Sequence, residues 1–316
     1  MIAVEIGLRA VGVLVAFLTL PLLVGQAEHK VMAHMQGRLG PMYAGGFHGW
    51  AQLVADGVKF LQKEDVVPAR ADATVFRLAP AVALVPYLVA LAVIPLSPDW
   101  VAADVDAGLL FVLAAAAVGV LGTLMAGWSS ANKYALLGSM RAAAQLLAYE
   151  LPLVLAAASV AMAAGTLSLT GIGEAWRWWW LVWQAPALLV FLIAGLAEVQ
   201  RPPFDMPIAD SELVAGPYTE YTGLRFALFL LSEYAGIVVL SALVAVLFLG
   251  GWHGPLVNGP GWTLLKAGLV AIVVIWLRVA WPRLREDQLQ RLAWAGLVPI
   301  ALAQLALTAV VVVLRS

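Results

Sequence analysis

Apolar runs long enough to cross a bilayer alternate with polar connections along most of the chain. A spanning helix needs about 20 predominantly apolar residues and satisfies its own backbone hydrogen bonds. The pattern predicts eight such helices, at 2–24, 74–96, 106–127, 141–165, 179–197, 222–250, 264–281 and 291–314. We therefore expect an all-α, polytopic membrane protein with a single transmembrane domain over residues 1–316, and we find no repeat typical of a solenoid or an inverted-repeat transporter.

The first long connection carries a different pattern. Between residues 47 and 63, apolar side chains recur at 47, 50, 54, 58 and 61, and polar side chains occupy the other faces. This is helical spacing, but the segment is too short and too charged to span. It predicts an amphipathic helix in the membrane interface. The helix is either a simple anchor or one wall of a lateral portal for a lipid-soluble molecule.

Basic residues are divided unequally between the two sets of connections. Fourteen of the 18 Lys and Arg residues lie nearest the side that carries 25–73, 128–140, 198–221 and 282–290, and the other four lie on the opposite side. Basic residues are in excess on cytoplasmic loops. The first set is therefore predicted to be cytoplasmic, and both termini are predicted to lie outside.

The predicted cytoplasmic connection 198–221 is dense in charge. It follows the fifth apolar run, and Pro202 and Pro203 end that helix because neither offers a backbone N–H. Its charged residues are Glu198, Arg201, Asp205, Asp210, Glu212 and Glu220. We interpret this loop as a functional region at one membrane boundary.

Two further acids lie inside predicted helices, Glu150 in the fourth and Glu233 in the sixth. A charged side chain at the bilayer centre costs at least about 2.5–3.5 kcal/mol on insertion scales. Each acid must therefore be paired, be neutral, or face protein or water. One interpretation is a pair that fixes helices together, such as Glu150 with Arg141 or Arg278. The other is a proton relay or polar chamber, because burial raises a carboxyl pKa towards neutrality.

Composition narrows the chemistry. The chain is 63% hydrophobic and 12% charged, against roughly 25% charged residues in soluble domains. The net charge of −1 suggests no nucleic-acid partner, and the absence of cysteine excludes thiolate chemistry and self-ligated iron–sulfur clusters. No histidine lies in an apolar run, and no hydrolase, nucleotide-binding or zinc motif occurs. We expect no catalytic residue, metal, flavin or cluster in this chain, and we interpret Met1–Val24 as a retained helix and not a signal peptide.

Several sequence blocks occur together and in order. They are Glu28–Lys30, Gln36–Pro41, Asp56–Lys59, Lys63–Asp65, Trp128–Glu150, Ala197–Asp205, Ser211–Gly216, Glu220–Gly223, Leu249–Trp252 and Pro282–Leu289. With these blocks, nearly the whole chain resembles the H-subunit family of proton-pumping NADH:quinone oxidoreductase, respiratory complex I. The resemblance implies a heel subunit of a bacterial plasma-membrane complex. Its expected partners are the hydrophilic quinone-site and terminal iron–sulfur subunits, the small membrane-arm subunits, the lipid bilayer and quinone.

The resemblance also implies roles for particular residues. A quinone chamber would be lined by Gln36, Arg38, Asp56, Lys59, Phe204 and Arg278. A proton relay would run through Glu150, Glu198, Asp205, Asp210, Glu212, Glu220 and Glu233, with Arg201 among them biasing their protonation. Electrons would arrive from an iron–sulfur cluster on a partner, so NADH oxidation and quinone reduction would be activities of the complex and not of this chain alone.

The chain departs from the family pattern at five positions. His29 stands where the family usually has Arg, Ile208 and Asp210 where it has Glu, Ala148 where it has Ser, and Ala295 where it has Lys. Ile208 removes one expected proton carrier from the loop. Two other classes remain open: a related subunit of a membrane-bound hydrogenase or another dehydrogenase, and an independent ion or solute transporter. The neighbouring subunits of the native complex would distinguish them.

Overall fold

The computed structural model describes residues 2–255 and 257–315, except for the side chains of residues 2, 3, 210, 211 and 315. Its regular structure in these ranges is helical, which confirms the predicted all-α class. The α-helices are α1 (Ile2–Met35), α2 (Gln52–Gln62), α3 (Ala73–Val93), α4 (Gly108–Ser129), α5 (Lys133–Ala164), α6 (Leu169–Ala175), α7 (Trp180–Trp183), α8 (Ala185–Glu198), α9 (Asp210–Leu213), α10 (Gly223–Leu247), α11 (Pro260–Ala280), α12 (Glu286–Arg291) and α13 (Val298–Arg315). A π-helical segment, Leu292–Leu297, joins α12 to α13, and 3₁₀ turns occupy Phe47–Gly49 and Gly216–Tyr218.

Local chemistry explains several helix ends. Asp72 begins α3 by accepting hydrogen bonds from the backbone N–H groups of Thr74 and Val75, and Asn132 begins α5 in the same way through Tyr134. Such side chains satisfy the first N–H groups of a helix, which have no partner inside it. Gly165 ends α5 with a φ of 71°, a left-handed conformation that glycine adopts without a steric penalty.

Seven helices in the described ranges are long and apolar enough to cross a membrane. They are α1, α3, α4, α5, α10, α11 and the continuous Glu286–Leu314 segment. These seven correspond to seven of the eight predicted spans, and the chain is a polytopic membrane protein as expected. Two of them extend further than predicted. Helix α1 continues to Met35 and α5 begins at Lys133, because their polar extensions pack against other parts of the protein.

The remaining predicted span, the fifth in chain order, is interrupted. The predicted helix 179–197 is instead the short α7 followed by α8, which has 14 residues and a length of about 21 Å. At the break, the Gln304 side chain donates a hydrogen bond to the Trp183 carbonyl, and the Ser159 hydroxyl donates one to Gln184. A polar cluster from neighbouring helices thus satisfies backbone and side-chain groups where the helix is interrupted.

Helix α10 forms the centre of the bundle. In its most apolar stretch of 18 residues, 78% of the residues are buried, against 11% in the corresponding stretch of α1. It packs against α1, α3 and α11. Close helix approaches depend on small residues: a Cβ at Gly122 of α4 would lie 2.4 Å from the backbone nitrogen of Ala83 in α3. Membrane helices commonly pack through such small residues. Helix α10 carries Glu233, so this acid belongs to the most enclosed element of the fold.

A helix is present in the predicted amphipathic segment, preceded by the 3₁₀ turn. Its apolar side chains Phe47, Trp50, Val54, Val58 and Leu61 are exposed in the isolated chain. On its opposite side, the Gln26 amide donates to the Gly49 carbonyl at 3.1 Å. The contact joins this segment to α1. The apolar row therefore points away from the bundle, as an interfacial helix requires.

Candidate functional site

A buried ion-pair cluster lies directly after α8. The guanidinium of Arg201 donates to both carboxylate oxygens of Glu28 at 2.9 and 3.0 Å. Its Nε lies 2.7 Å from a carboxylate oxygen of Glu233, and its planar group lies 4.7 Å from the ring centroid of Tyr234. Arg201 and Glu28 are each only 2% exposed. Arg278 also pairs with Glu28. The cluster thus joins α1, α10, α11 and the loop after α8.

The charges of this cluster balance, because two arginines face two carboxylates. A buried charge is tolerated when it is paired and hydrogen-bonded, and removal of one partner leaves the other uncompensated. For Glu233, one of the two acids inside predicted helices, the ion pair with Arg201 shows how its charge is accommodated. Glu28 was recognised only as part of a sequence block, and its role as the partner of two arginines was not predicted.

A second group of acids is paired nearer the surface. Asp205 lies 3.1 Å from the Arg283 guanidinium, and Glu212 lies 2.6 Å from that of Arg141. Glu220 accepts a hydrogen bond of 2.6 Å from the Asn132 amide. The hydrogen bond from Arg141 holds the pKa of the Glu212 carboxyl below its usual value. These three predicted relay acids therefore help to fix the loop between α8 and α10 in place.

The two arginines considered as partners of Glu150 pair with other acids. Arg141 contacts Glu212 and, at 3.9 Å, Glu286. Arg278 contacts Glu28. Among the described residues both arginines thus pair with acids other than Glu150, and the first of the two interpretations, an ion pair of Glu150 with Arg141 or Arg278, is not seen there. Glu150 instead lies close enough to Glu198 for the two carboxylates to interact electrostatically.

A small polar cavity adjoins the buried cluster. Its volume is about 30 Å³, and a cavity of about 10–15 Å³ is already sufficient for one water. The carboxyl groups of Glu198 and Glu233 line it, together with side chains from α3, α4 and the loop. The polar wall residues are Tyr87, Thr123, Glu198, Gln200, Tyr218, Ser232 and Glu233, and the apolar Ile208 also lines the cavity. Glu233 is thus shared between the Arg201 ion pair and the cavity.

The turn at Pro202 and Pro203 is held from α5. The Gln145 side chain donates to the carbonyls of Ala197, at 2.6 Å, and Phe204, at 2.7 Å. The two acceptors stand on either side of the prolines. A buried amide that bridges them fixes the loop conformation, because leaving either carbonyl without a partner would be costly. The close approach continues at Gly216, where φ is 52° and a Cβ would lie 2.0 Å from the Pro207 carbonyl oxygen.

Two of the predicted quinone-chamber residues, Gln36 and Arg38, lie in the turn directly after α1, and two more, Asp56 and Lys59, lie on α2. Arg38 donates to Gln36 at 2.8 Å, and Lys59 lies 3.4 Å from Asp56. His29 on α1 interacts electrostatically with both Arg38 and Asp56. The turn after α1 and helix α2 therefore both lie near His29. His29 itself is one of the positions where the chain departs from the family pattern.

The other two predicted chamber residues are placed differently. Phe204 is 1% exposed and packs against Tyr149, with ring centroids 5.6 Å apart. Arg278 belongs to the buried cluster. Asp210, a predicted relay residue, begins α9, and its side chain lies outside the described part of the chain. Among the described residues, no group of three or more His, Asp and Glu side chains is arranged to hold a metal ion.

Fold and site together define a polytopic helical membrane protein in which a buried ion-pair cluster adjoins a small polar cavity. The chain belongs to the NADH dehydrogenase family, whose model matches residues 8–309. It is 47% identical to the H subunit of the NADH-quinone oxidoreductase of Geobacillus kaustophilus (strain HTA426), over 98% of this chain and 94% of that protein. It is also 47% identical to the H subunit of the same enzyme from Bacillus mycoides (strain KBAB4), over 90% of this chain and 87% of that protein.

Proposed function

We propose that this chain is the membrane subunit of a quinone-reducing NADH dehydrogenase complex that links a quinone chamber to a proton relay. The observation that carries this proposal is the shared position of Glu233, which pairs with Arg201 and also lines the cavity with Glu198. A change of charge near Arg201 alters the proton affinity of any carboxylate paired with it. A change of charge on the chamber side of Arg201 can therefore alter the proton affinity of the cavity acids.

The chamber side is proposed to begin at α2 and the polar end of α1. A quinone has a polar head and an apolar tail, and this region offers both kinds of surface. Gln36, Arg38, Asp56 and Lys59 provide polar groups, and the exposed row on α2 provides apolar contact. Arg278 and Glu28 then connect this region to Arg201. Quinone is a substrate here, and the electrons are supplied by a partner, since the chain has no cysteine for a cluster.

The relay side is proposed to consist of Glu150, Glu198 and Glu233. Glu150 and Glu198 are near neighbours, and Glu198 and Glu233 share the cavity. Asp205, Glu212 and Glu220 have fixed partners, so we propose that they hold the loop against its surroundings while the cavity acids exchange protons.

The predicted cytoplasmic end is proposed as the docking face for the hydrophilic partners. Here the loop between α8 and α10 meets the connection from α11 to α12, where the Leu284 N–H donates to the Pro203 carbonyl. Exposed charges such as those of Lys63 and Glu64, on the connection that follows α2, lie on the same predicted side. The small membrane-arm subunits would flank the lipid-facing helices. This orientation follows the distribution of basic residues.

The relay is tested by Glu233→Gln in the assembled complex reconstituted in liposomes. This change keeps the shape of the side chain and removes its titratable proton. We expect NADH-driven proton translocation to fall by about 100-fold or more, the lower end of the range for loss of a positioned proton-transfer group. Glu174→Gln, at the exposed end of α6, is the matched control and is expected to leave translocation unchanged. Full translocation by the Glu233→Gln complex would contradict the relay.

The chamber is tested by Arg38→Ala, with Arg70→Ala as an exposed arginine control. Loss of the guanidinium should weaken a quinone-site inhibitor by about tenfold, which corresponds to about 1.4 kcal/mol. Inhibitor titration of quinone reduction measures the change at constant amounts of assembled complex. Unchanged inhibition together with normal assembly would remove Arg38 from the chamber. Co-purification with a nickel-binding subunit and no NADH-binding subunit would instead support the hydrogenase alternative.

A further inference from the structure

Two of the hydroxyl-bearing residues that line the cavity contact each other. The hydroxyl oxygens of Tyr218 and Thr123 lie 3.2 Å apart, which is hydrogen-bond distance. Both residues line the same cavity as Glu198 and Glu233. Thr123 comes from α4 and Tyr218 from the 3₁₀ turn before α10. Neither residue was singled out from the sequence.

The Tyr218 side chain is held in position. Its ring packs against Phe229 with centroids 4.6 Å apart. The turn that carries it begins at Gly216, where the backbone passes so close to the Pro207 carbonyl that no larger residue fits. The hydroxyl is therefore presented to the cavity by a fixed backbone and a fixed ring. Positioning of this kind favours proton transfer, which requires donor and acceptor within hydrogen-bond reach.

The lining of the same cavity includes the apolar residue Ile208. Ile208 cannot accept or release a proton. The hydroxyls of Tyr218 and Thr123 can each donate one hydrogen bond and accept others. A cavity of about 30 Å³ has room for one or two waters between these groups and the carboxyls. Hydroxyls and water can thus complete a hydrogen-bonded path on the side of the cavity where no carboxyl is available.

We propose that the Tyr218 hydroxyl, assisted by Thr123, passes protons between Glu198 and Glu233. In each transfer, the phenol oxygen accepts a proton from the side of one carboxyl group and releases its own proton to the side of the other. One O–H bond forms, one breaks, and the phenol is unchanged. No oxidant or other co-reactant is needed. This inference rests on the proposed function and names an additional residue within the relay.

The electrostatic surroundings suit a group that relays without ionising. Burial raises the pKa of the Tyr218 phenol well above its ordinary value, and the hydrogen bond with Thr123 opposes this shift only in part. Tyr87 is the other phenol on the cavity wall. Tyr218 therefore stays neutral at physiological pH. It transfers protons in a concerted step and does not carry a negative charge.

The test is Tyr218→Phe in the assembled, reconstituted complex. This change removes only the hydroxyl and retains the ring that packs on Phe229. Proton translocation per assembled complex is expected to fall by about tenfold, which is less than the roughly 10²–10⁴-fold typical for complete loss of a positioned proton-transfer group, because the Thr123 hydroxyl remains. Tyr134→Phe, which removes a phenol at the exposed start of α5, is expected to have no effect. Wild-type translocation by the Tyr218→Phe complex would overturn the proposal.

A second variant separates proton transfer from packing. Ile208→Glu, combined with Tyr218→Phe, places a titratable group on the same cavity wall. The double variant should recover at least half of the lost translocation, and its rate should acquire a new pH dependence from the introduced carboxyl. No recovery, with normal assembly, would mean that Tyr218 acts through packing and would contradict the proposal. Should Tyr218→Phe fail to assemble, Thr123→Val removes the partner hydroxyl at similar volume, and it should lower translocation several-fold; unchanged translocation would count against the path.

Failure of this inference can be distinguished from failure of the proposed function. Loss of translocation in Glu233→Gln, together with normal translocation in Tyr218→Phe, would leave the relay in place and remove only Tyr218 from it. Normal translocation in both variants would remove the relay itself.

Discussion

The acids of this protein fall into two groups that lie near one another and differ in their partners. Glu28, Asp205 and Glu212 each face at least one arginine. Glu198 lines a cavity that it shares with Glu233, and another acid, Glu150, interacts with it electrostatically. A carboxylate beside arginine is favoured in its charged form, whereas a buried carboxyl beside another acid is favoured in its neutral form. The first group is suited to fixing structure and the second to exchanging protons.

Glu233 connects the two groups. It contacts Arg201 at 2.7 Å and also lines the cavity. If its ion pair opens, its carboxyl becomes free to take up a proton from the cavity. The position of Arg201 thus determines which group Glu233 belongs to. This is a local mechanism by which a change in the proposed quinone chamber could alter proton occupancy nearby.

The largest effect on this comparison is expected from Arg201→Met. The change leaves Glu28 buried with Arg278 alone and removes the ion-pair partner of Glu233. Breaking a buried ion pair from one side typically costs about 3–5 kcal/mol, so we expect reduced assembly and a clearly lower unfolding temperature. Thermal unfolding of the purified complex measures this.

Arg285→Met is the control for Arg201→Met. Arg285 pairs with Asp287 at the surface, where both side chains are largely exposed, and such pairs contribute about 0–1 kcal/mol. An Arg201→Met complex as stable as the Arg285→Met complex would show that the buried cluster is not a structural element.

A smaller effect is expected from Glu212→Gln. Glu212 is 51% exposed on its side chain, so loss of its pair with Arg141 should lower stability by less than about 1 kcal/mol at neutral pH. Its pKa is lower in the folded state than its ordinary 4.5. The stabilisation is therefore present above the unfolded-state pKa and is lost as the pH falls through the folded-state pKa. The stability difference between wild type and variant should begin to shrink as the pH falls below about 4.5 and should disappear once the pH lies below the folded-state pKa.

Unfolding curves at several pH values measure this difference. A difference that grows on acidification would mean that the folded state does not favour the charged form of Glu212.

The sequence was sufficient for the helical class, the order of the spans and the identity of most charged residues. Hydrophobic runs encode these features locally. The ion-pair partners of these charged residues could not be predicted from the sequence. Arg201 and Glu28 are 173 residues apart, and the pattern around either residue contains no information about the other. For the same reason, the end of α1 was predicted too early and the start of α5 too late. The polar turns at these positions are stabilised by distant parts of the chain.

The cavity could not be predicted from the sequence either. Tyr218 and Thr123 are ordinary residues in a loop and an apolar helix, and only the fold brings their hydroxyls together. Ile208 was recognised as a missing carboxyl, and the structure shows why that matters, since its side chain forms part of the cavity wall. The interruption at Gln184 was hidden as well, because α7 and α8 are both apolar.

The division between the two groups of acids is tested most directly by the number of protons translocated per electron for Glu198→Gln and Glu212→Gln, measured side by side in reconstituted complexes of equal assembly. Both changes remove one carboxyl charge and keep the side-chain shape. We predict that Glu198→Gln lowers the ratio strongly and that Glu212→Gln leaves it close to the wild-type value. A wild-type ratio for Glu198→Gln, or an equal loss for both variants, would contradict the account.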